Sequence, residues 1–320
     1  MLNFFLVFLL GLVMAIIIGF PVLKLCRKLK LGQTILHYVD KHAGKSGTPT
    51  MGGMIFIFAS IMSCAFFLGS DWLVGGLVLL TMLGYGLLGF LDDFIKIKSH
   101  KNEGLKPYQK IIGQVGIALI IAFFVYFKIG SVVDFFGLKL NLGVFIIPFV
   151  VIFFVAVTNS VNLTDGLDGL AGGVSFVYLL FFGIIVAFVP AYYDFSLISF
   201  AMSGALLGFL LFNGFPAKIF MGDTGSLALG GLIASLAVMT GMELIMAIIG
   251  IMFVLSAVSD IIQVAYYKKT KKRVFLMAPL HHHFEKKGVH ENRIVAVYIV
   301  ITILAGLGVL MGYMAVAGVL

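Results

Sequence analysis

The 320-residue sequence is 61% hydrophobic and 11% charged, with a mean hydropathy of +1.14. Soluble domains run near about 45–50% apolar and roughly 25% charged, so a water-soluble globular protein is excluded and a polytopic membrane protein is implied. A net charge of +8 suits anionic headgroups and phosphorylated ligands, and no soluble domain remains to recognise nucleic acid.

Crossing about 30 Å of hydrocarbon at about 1.5 Å per residue takes about 20 apolar residues. Such stretches run over 2–23, 51–69, 73–91, 111–128, 143–160, 170–189, 197–213, 226–242, 244–266 and 294–317. They predict an all-α protein of ten transmembrane helices, one integral membrane domain over 1–320 whose site is made by loops and helix ends. Lys24, Arg27, Lys28 and Lys30 follow the first stretch instead of preceding it, the reverse of a secretory signal, so it reads as a retained helix. Cys26 and Cys64 offer neither a disulfide framework nor metal-ligand spacing.

If the first helix enters from outside, the inner connections hold all of the 22 Lys and Arg except Lys128 and Lys139. The positive-inside rule then places both termini outside the cytoplasm. The same topology puts Asp92, Asp93, Asp165, Asp168 and Asp223 on the cytoplasmic side, in segments that only folding can join. Carboxylates beside membrane-length helices are expensive, about 2.5–3.5 kcal/mol at a helix centre, and point to a functional site. Asp71, Asp134, Asp194 and Glu243 fall on the other side as isolated loop charges.

In chain order, Gly44 to Gly53 (Gly-Lys-Ser-Gly-Thr-Pro-Thr-Met-Gly-Gly) has the composition of a phosphate loop without its spacing, and reads as a substrate-contacting loop. At the end of the third stretch, Lys96 shares a helical face with Asp92 and Asp93. Two carboxylates so close need that ammonium or a divalent metal between them. Asn159, Asn162, Asp165 and Asp168 recur every three residues, a polar stripe that meets Gly166 and Gly169 and suits hydrogen bonding to a base or sugar, or a share in metal binding. In Phe220-Met-Gly-Asp223-Thr-Gly-Ser226, Asp223 can ligate a metal while the first amides of the following helix face a phosphate. His281, His282 and His283 are consecutive, about 100° apart on a helix, so they cannot easily share one zinc, and protease spacing is absent. They suit hydrogen bonding to a diphosphate or proton movement. Asp260 and Gln263 are polar groups within a span and should face protein or a water-filled cleft.

Together the Thr-Pro-Thr-Met-Gly-Gly loop, Asp-Asp-x-x-Lys, Asn-x-x-Asn-x-x-Asp-Gly-x-Asp-Gly-Leu, Gly-Asp-x-Gly-Ser and His-His-His-Phe-Glu occur in this order across residues 45–285. This set resembles the bacterial phospho-N-acetylmuramoyl-pentapeptide transferases, of the polyprenyl-phosphate N-acetylhexosamine-1-phosphate transferase superfamily. The resemblance implies an Mg²⁺-dependent enzyme of the bacterial inner membrane. It would move phospho-MurNAc-pentapeptide from UDP-MurNAc-pentapeptide to undecaprenyl phosphate, releasing UMP and forming lipid I, with a homodimer as the suggested assembly. By match of motif, Asp223 would ligate Mg²⁺, Asp92 would act on the lipid phosphate and Asp93 would support the metal–phosphate site. Lys45, Thr50, Asn162, Asp165, Gly166, Leu167, Asp168 and Phe220 fall where the family contacts nucleotide, and His281, His282 and His283 where it places catalytic or ligand-contacting histidines. Lys96 and Asn159 complete the expected substrate-binding set.

Two other readings use the same acids. A UDP-GlcNAc:polyprenyl-phosphate GlcNAc-1-phosphate transferase would share the early motifs, and the triple-histidine element argues against it. A nucleotide-sugar transporter would site its charges near the bilayer midplane, whereas these collect at helix ends.

Overall fold

The structure, a computed structural model, describes residues 1–29, 47–67, 73–99 and 104–316. Its helices are α1 (Leu2–Lys28), α2 (Gly53–Cys64), α3 (Leu73–Ser99), α4 (Pro107–Phe124), α5 (Ile146–Thr164) and α6 (Leu170–Ala187), then α7 (Tyr193–Asn213), α8 (Gly222–Thr240), α9 (Glu243–Ile249), α10 (Ile251–Thr270), α11 (Leu280–Lys286) and α12 (Glu291–Val316). Among the described residues, nine helices are long and apolar enough to cross a membrane. The tenth expected span is the shorter α2, of 12 residues.

Two features depart from the sequence expectation. The stretch 244–266 is not one helix: it breaks at Gly250, whose backbone leaves the helical region (φ −79, ψ 19). Glycine is the weak point because it loses about 0.5–1 kcal/mol against alanine inside a helix. The chain restarts there, the Gly250 carbonyl accepting from the Phe253 and Val254 amides, and α10 runs on to Thr270. The connection after α4 also carries an antiparallel hairpin, β1 (Val132–Phe135) and β2 (Leu138–Asn141), turned at Phe136-Gly137. The Asp134 amide bonds the Gly241 carbonyl at 2.6 Å, which ties this hairpin to the end of α8.

Helix α8 is the axis of the bundle. It has one of the lowest mean hydropathies of the spans, 1.3, yet its most apolar window is 89% buried, while α1 at 2.9 is only 28% buried. The inversion follows from the solvent: lipid gives no hydrophobic drive for helices to associate, so small residues that let backbones touch decide which helix is central. A Cβ on Gly53 would strike the Gly225 backbone, and one on Gly89 would strike the Asp223 carbonyl. These contacts draw α2 and α3 onto the first turn of α8. An open cavity of about 470 Å³, lined by Asp134, Lys139, Tyr192 and Tyr313 among others, lies at the hairpin end, and none of Asp92, Asp93 and Asp223 lines it.

Candidate active site

Backbone pairing sets the frame. Phe220 donates its amide to the Pro49 carbonyl at 2.8 Å, and its own carbonyl accepts from Gly52 at the same distance. The Gly53 amide bonds Met221 O at 3.0 Å, so the loop before α2 lies along the chain that enters α8. Gly222 holds a left-handed φ of +72, and a Cβ there would meet Asp93 Oδ2 and Thr50 Oγ1 at 2.5 Å each. That crowding brings Thr50, 1% exposed, to the base of the site.

Asp93 is consumed by this frame. Its Oδ1 accepts from the Asp223 amide at 3.2 Å, and its Oδ2 accepts from the Thr224 amide at 2.9 Å and hydroxyl at 2.7 Å. The expectation that these first amides of α8 face a phosphate is therefore corrected: they are capped by Asp93. A carboxylate on the positive end of a helix is stabilising, and here it orients the next residue, Asp223.

The functional charges are layered above. Ligand-capable oxygens of Asp92, Asp93 and Asp223 lie within 4.8 Å of one another. Two ammoniums bridge the outer pair. Lys96 Nζ is 2.6 Å from Asp92 Oδ2 and 2.9 Å from Asp223 Oδ2, and Lys110 Nζ is 3.0 Å and 2.6 Å from the same two atoms. Asp92 Oδ1 accepts from the Leu105 amide at 2.7 Å, and Asp223 Oδ1 from Asn162 Nδ2 at 2.8 Å. Asn162 also donates to Ser226 Oγ at 2.8 Å. Asn159 lies one turn deeper and donates to Gln114 Oε1 at 2.8 Å instead of reaching the cluster.

The remaining residues of the stripe build a second wall. Asp168 is 4% exposed, accepts the Ala217 amide at 2.9 Å, and gives its own amide to Glu291 at the start of α12. Leu167 is likewise 4% exposed and packs in the core. Gly166 lets the imidazoles approach: a Cβ there would collide with His281 Nε2 and stand 3.0 Å from His282 Nε2. The three histidines do three different things, as their spacing requires. His281 is fully buried with neither ring nitrogen paired among the described residues, His282 Nδ1 meets Glu285 at 2.9 Å, and His283 Nδ1 accepts from the Leu276 amide at 3.1 Å. His283 thus staples the loop before α11. Gln263 does the same from α10, accepting from Val274 at 3.0 Å and Phe275 at 2.9 Å, a packing role. Lys45 lies outside the described residues.

Two groups of the site that lie outside the spans have displaced titrations. Burial pushes Asp165 up to about 8, helped by the negative charges of Asp223, Asp93 and Asp168. Burial pushes His281 down to about 3, with repulsion from His282 adding and Glu285 opposing. At neutral pH the first is largely a protonated donor and the second a neutral imidazole.

Lys110, Gln114 and Glu291 belong to this region and carry no sequence signal beyond their type. A site of clustered carboxylates, bridging ammoniums and neutral donors at the end of a helix bundle can neutralise and align phosphates.

The fold defines a polytopic membrane protein, glycosyl transferase family 4 matches residues 76–241, and the relatives make it an enzyme that transfers phosphosugars. More narrowly, the chain belongs to the phospho-N-acetylmuramoyl-pentapeptide-transferase family. It is 46% identical to the protein of that name from Clostridium botulinum (strain Eklund 17B / Type B), covering 92% of each chain. It is 45% identical to that of Clostridium perfringens (strain 13 / Type A), over 91% of this chain and 92% of the relative. With that of Thermoanaerobacter sp. (strain X514) the identity is 49%, over 87% and 89%.

Proposed function

We propose that this protein transfers phospho-MurNAc-pentapeptide from UDP-MurNAc-pentapeptide to undecaprenyl phosphate at the cytoplasmic face of the bacterial inner membrane, giving lipid I and UMP. The carrying observation is the convergence of Asp92, Asp93, Asp223, Lys96 and Lys110 at one end of the bundle, in a chain of this family.

An oxygen of the lipid phosphate forms a bond to the phosphorus that bears the sugar, while the bond from that phosphorus to the UMP oxygen breaks and UMP leaves. A phosphomonoester has a second pKa of about 6, so the attacking oxygen is already largely ionised at neutral pH. A base such as Asp92 removes at most one proton, and the larger demand is charge neutralisation as two anions meet. Lys96 and Lys110, both paired with Asp92 Oδ2 and Asp223 Oδ2, supply the positive charge that neutralises the diphosphate.

The carboxylates fit Mg²⁺. They are hard oxygen donors within 4.8 Å of one another, and Asp92 and Asp223 each direct one oxygen to the point the two ammoniums share. Asp223 would hold the ion, with Asp92 beside it and Asp93 fixing Asp223 through α8. When bound, Mg²⁺ supplies Lewis-acid polarisation of the phosphoryl oxygens.

Thr50, Asn162, Asp165, Gly166, Leu167, Asp168 and Phe220 form the nucleotide side, and Lys45, outside the described residues, is assigned to it by motif alone. There a protonated Asp165 donates to an acceptor on the base or ribose, and Leu167 contributes backbone only. His281, whose two ring nitrogens have no partner among the described residues, serves as a neutral partner for the phosphates, with His282 beside it. Direct attack is favoured over an aspartyl phosphate because Asp92 and Asp223 are held by lysines and Asn162 instead of standing free as nucleophiles.

The test uses purified protein in detergent with Mg²⁺, undecaprenyl phosphate and either UDP-MurNAc-pentapeptide or UDP-GlcNAc. UMP release only with the muramoyl donor is expected. Release from UDP-GlcNAc instead would transfer the assignment to the sister activity. Release from neither, with nucleotide-sugar crossing a vesicle wall, would make the protein a transporter. A stoichiometric UMP burst without lipid would require the covalent aspartyl route.

A further inference from the structure

The charged cluster rests on a second layer that none of its chemistry explains. Lys110 in α4 and Asn162 in α5 approach Asp223 from two sides, one on Oδ2 at 2.6 Å and the other on Oδ1 at 2.8 Å. One helical turn below Lys110 stands Gln114, and three residues before Asn162 stands Asn159, each on the same face as the residue above it. These two amides meet: Asn159 Nδ2 donates to Gln114 Oε1 at 2.8 Å and to the Val155 carbonyl at 2.7 Å. Helices α4 and α5 are therefore joined by two rungs, a neutral amide bond inside and the Asp223 carboxylate outside.

Gln114 is fully buried, and the Tyr85 hydroxyl, itself buried, donates to its backbone carbonyl at 2.9 Å. Its Nε2 has no hydrogen-bond partner among the described residues. An apolar side chain of the same length would avoid that buried unpaired donor and its desolvation penalty. A glutamine here makes physical sense if the single bond from Asn159 is worth that penalty. What the bond controls is the rotation and slide of α4 against α5, which decides whether Lys110 and Asn162 reach the two oxygens of one carboxylate.

We propose that Gln114 is a positioning residue: through its bond to Asn159 it sets the register of α4 on α5 and so aims Lys110 and Asn162 at Asp223. Asn159, expected from sequence to contact substrate, belongs to this second layer. The inference rests on the transferase reading for its kinetic arm only.

The experiment compares wild type, Gln114→Met, Lys110→Ala and the double variant in detergent. Methionine keeps length and burial while removing both amide groups. Gln114→Met should lower kcat by about 10–100-fold, the size of a misplacement near 1 Å, with KM for both substrates within about twofold. The double variant should fall no more than about threefold below Lys110→Ala, because the glutamine acts through the lysine. Swapping the pair, Gln114→Asn with Asn159→Gln, keeps the summed length and should restore at least a third of the rate.

Hydrogen exchange read by mass spectrometry gives an activity-free arm. Peptides covering 105–114 and 159–164 should exchange faster in Gln114→Met, while α8 stays protected as in wild type. Fully additive losses in the double variant, or unchanged exchange in both peptides, would overturn the proposal. If Gln114→Met does not fold, the swapped pair and Gln114→Glu, which retains the acceptor, replace it, and swapped protein that folds yet stays as slow as Lys110→Ala would also overturn it. A wild type that releases no UMP would defeat the transferase reading, leaving the exchange arm to decide the role of Gln114.

Discussion

At the scale of single residues, Asp223 stands where the site's demands meet, its two oxygens shared among Lys96, Lys110 and Asn162. Asp223→Asn keeps the size and removes the charge, so turnover should fall by at least about 10²–10³-fold, the loss typical of one preorganised electrostatic group. Binding of UMP, measured by calorimetry without metal, should change far less, and near wild-type turnover at limiting Mg²⁺ would remove Asp223 from its role. Asp165 gives a second prediction with a definite sign. Its folded value is about 8 against an ordinary 3.8, raised first by burial and then by Asp223, Asp93 and Asp168. Between those values the unfolded chain has released the proton that the folded chain retains, so stability declines as pH rises through that window and levels off above about 8. With chelator present, the melting temperature of wild type should drop between about pH 5 and pH 8, and Asp165→Asn should lessen that drop, the remainder belonging to Glu243, which burial also raises to about 8. A variant curve parallel to wild type would show that Asp165 is not the group responsible. The acids of this site were legible in the sequence because a carboxylate beside a membrane span has few bland explanations. Lys110 and Gln114 were not, since a lysine or glutamine near a helix end says nothing of its partner until α3, α5 and α8 are brought together. The role of Asp93 was half legible: its type marked it, but only the fold shows it spent on the amides of α8.

At the scale of elements, the site depends on how closely α2 and α3 approach α8, and glycine permits that approach. Gly53→Ala would drive a methyl into the backbone of Gly225, and neither backbone can yield cheaply. Overpacking of this kind costs about 1–3 kcal/mol, so the detergent melting temperature should fall by several degrees, with loss of activity as the first turn of α8 is displaced. Gly116→Ala is the matched control. Gly116 lies in α4 with nothing within 4 Å of its would-be Cβ, and alanine there should be neutral or stabilising by up to about 1 kcal/mol. Equal effects at both positions would refute the close-approach account. Helix positions were readable from apolar length because backbone groups in lipid must be satisfied within the helix. Which helix is central was hidden, since α8 is poor in large apolar side chains, and in water that would suggest a surface element. The break at Gly250 and the hairpin at 132–141 were hidden for a related reason: each is stabilised by tertiary neighbours, the hairpin by the bond from Asp134 to Gly241.

At the scale of the whole molecule, all the groups of the proposed chemistry lie at one end of the bundle, and the hairpin and the α8–α9 connection lie at the other. A transferase whose donor is made in the cytoplasm needs the first end inside. The distribution of charge argues for the same orientation, because all 22 Lys and Arg but Lys128 and Lys139 fall in the sequence segments expected to lie inside together with the site carboxylates. The prediction is read with single cysteines in a background lacking Cys26 and Cys64, both of which are buried. Leu138→Cys, on the exposed hairpin, should react with a membrane-impermeant maleimide in intact cells. Lys287→Cys, exposed just after α11, should react only once the membrane is permeabilised. The reverse pattern would place the carboxylates outside the cell, where no UDP-linked donor is available, and would defeat the cytoplasmic assignment whatever the purified protein does in detergent. Labelling of both positions in intact cells would point to mixed insertion, and the charge bias would then be too weak to orient this bundle.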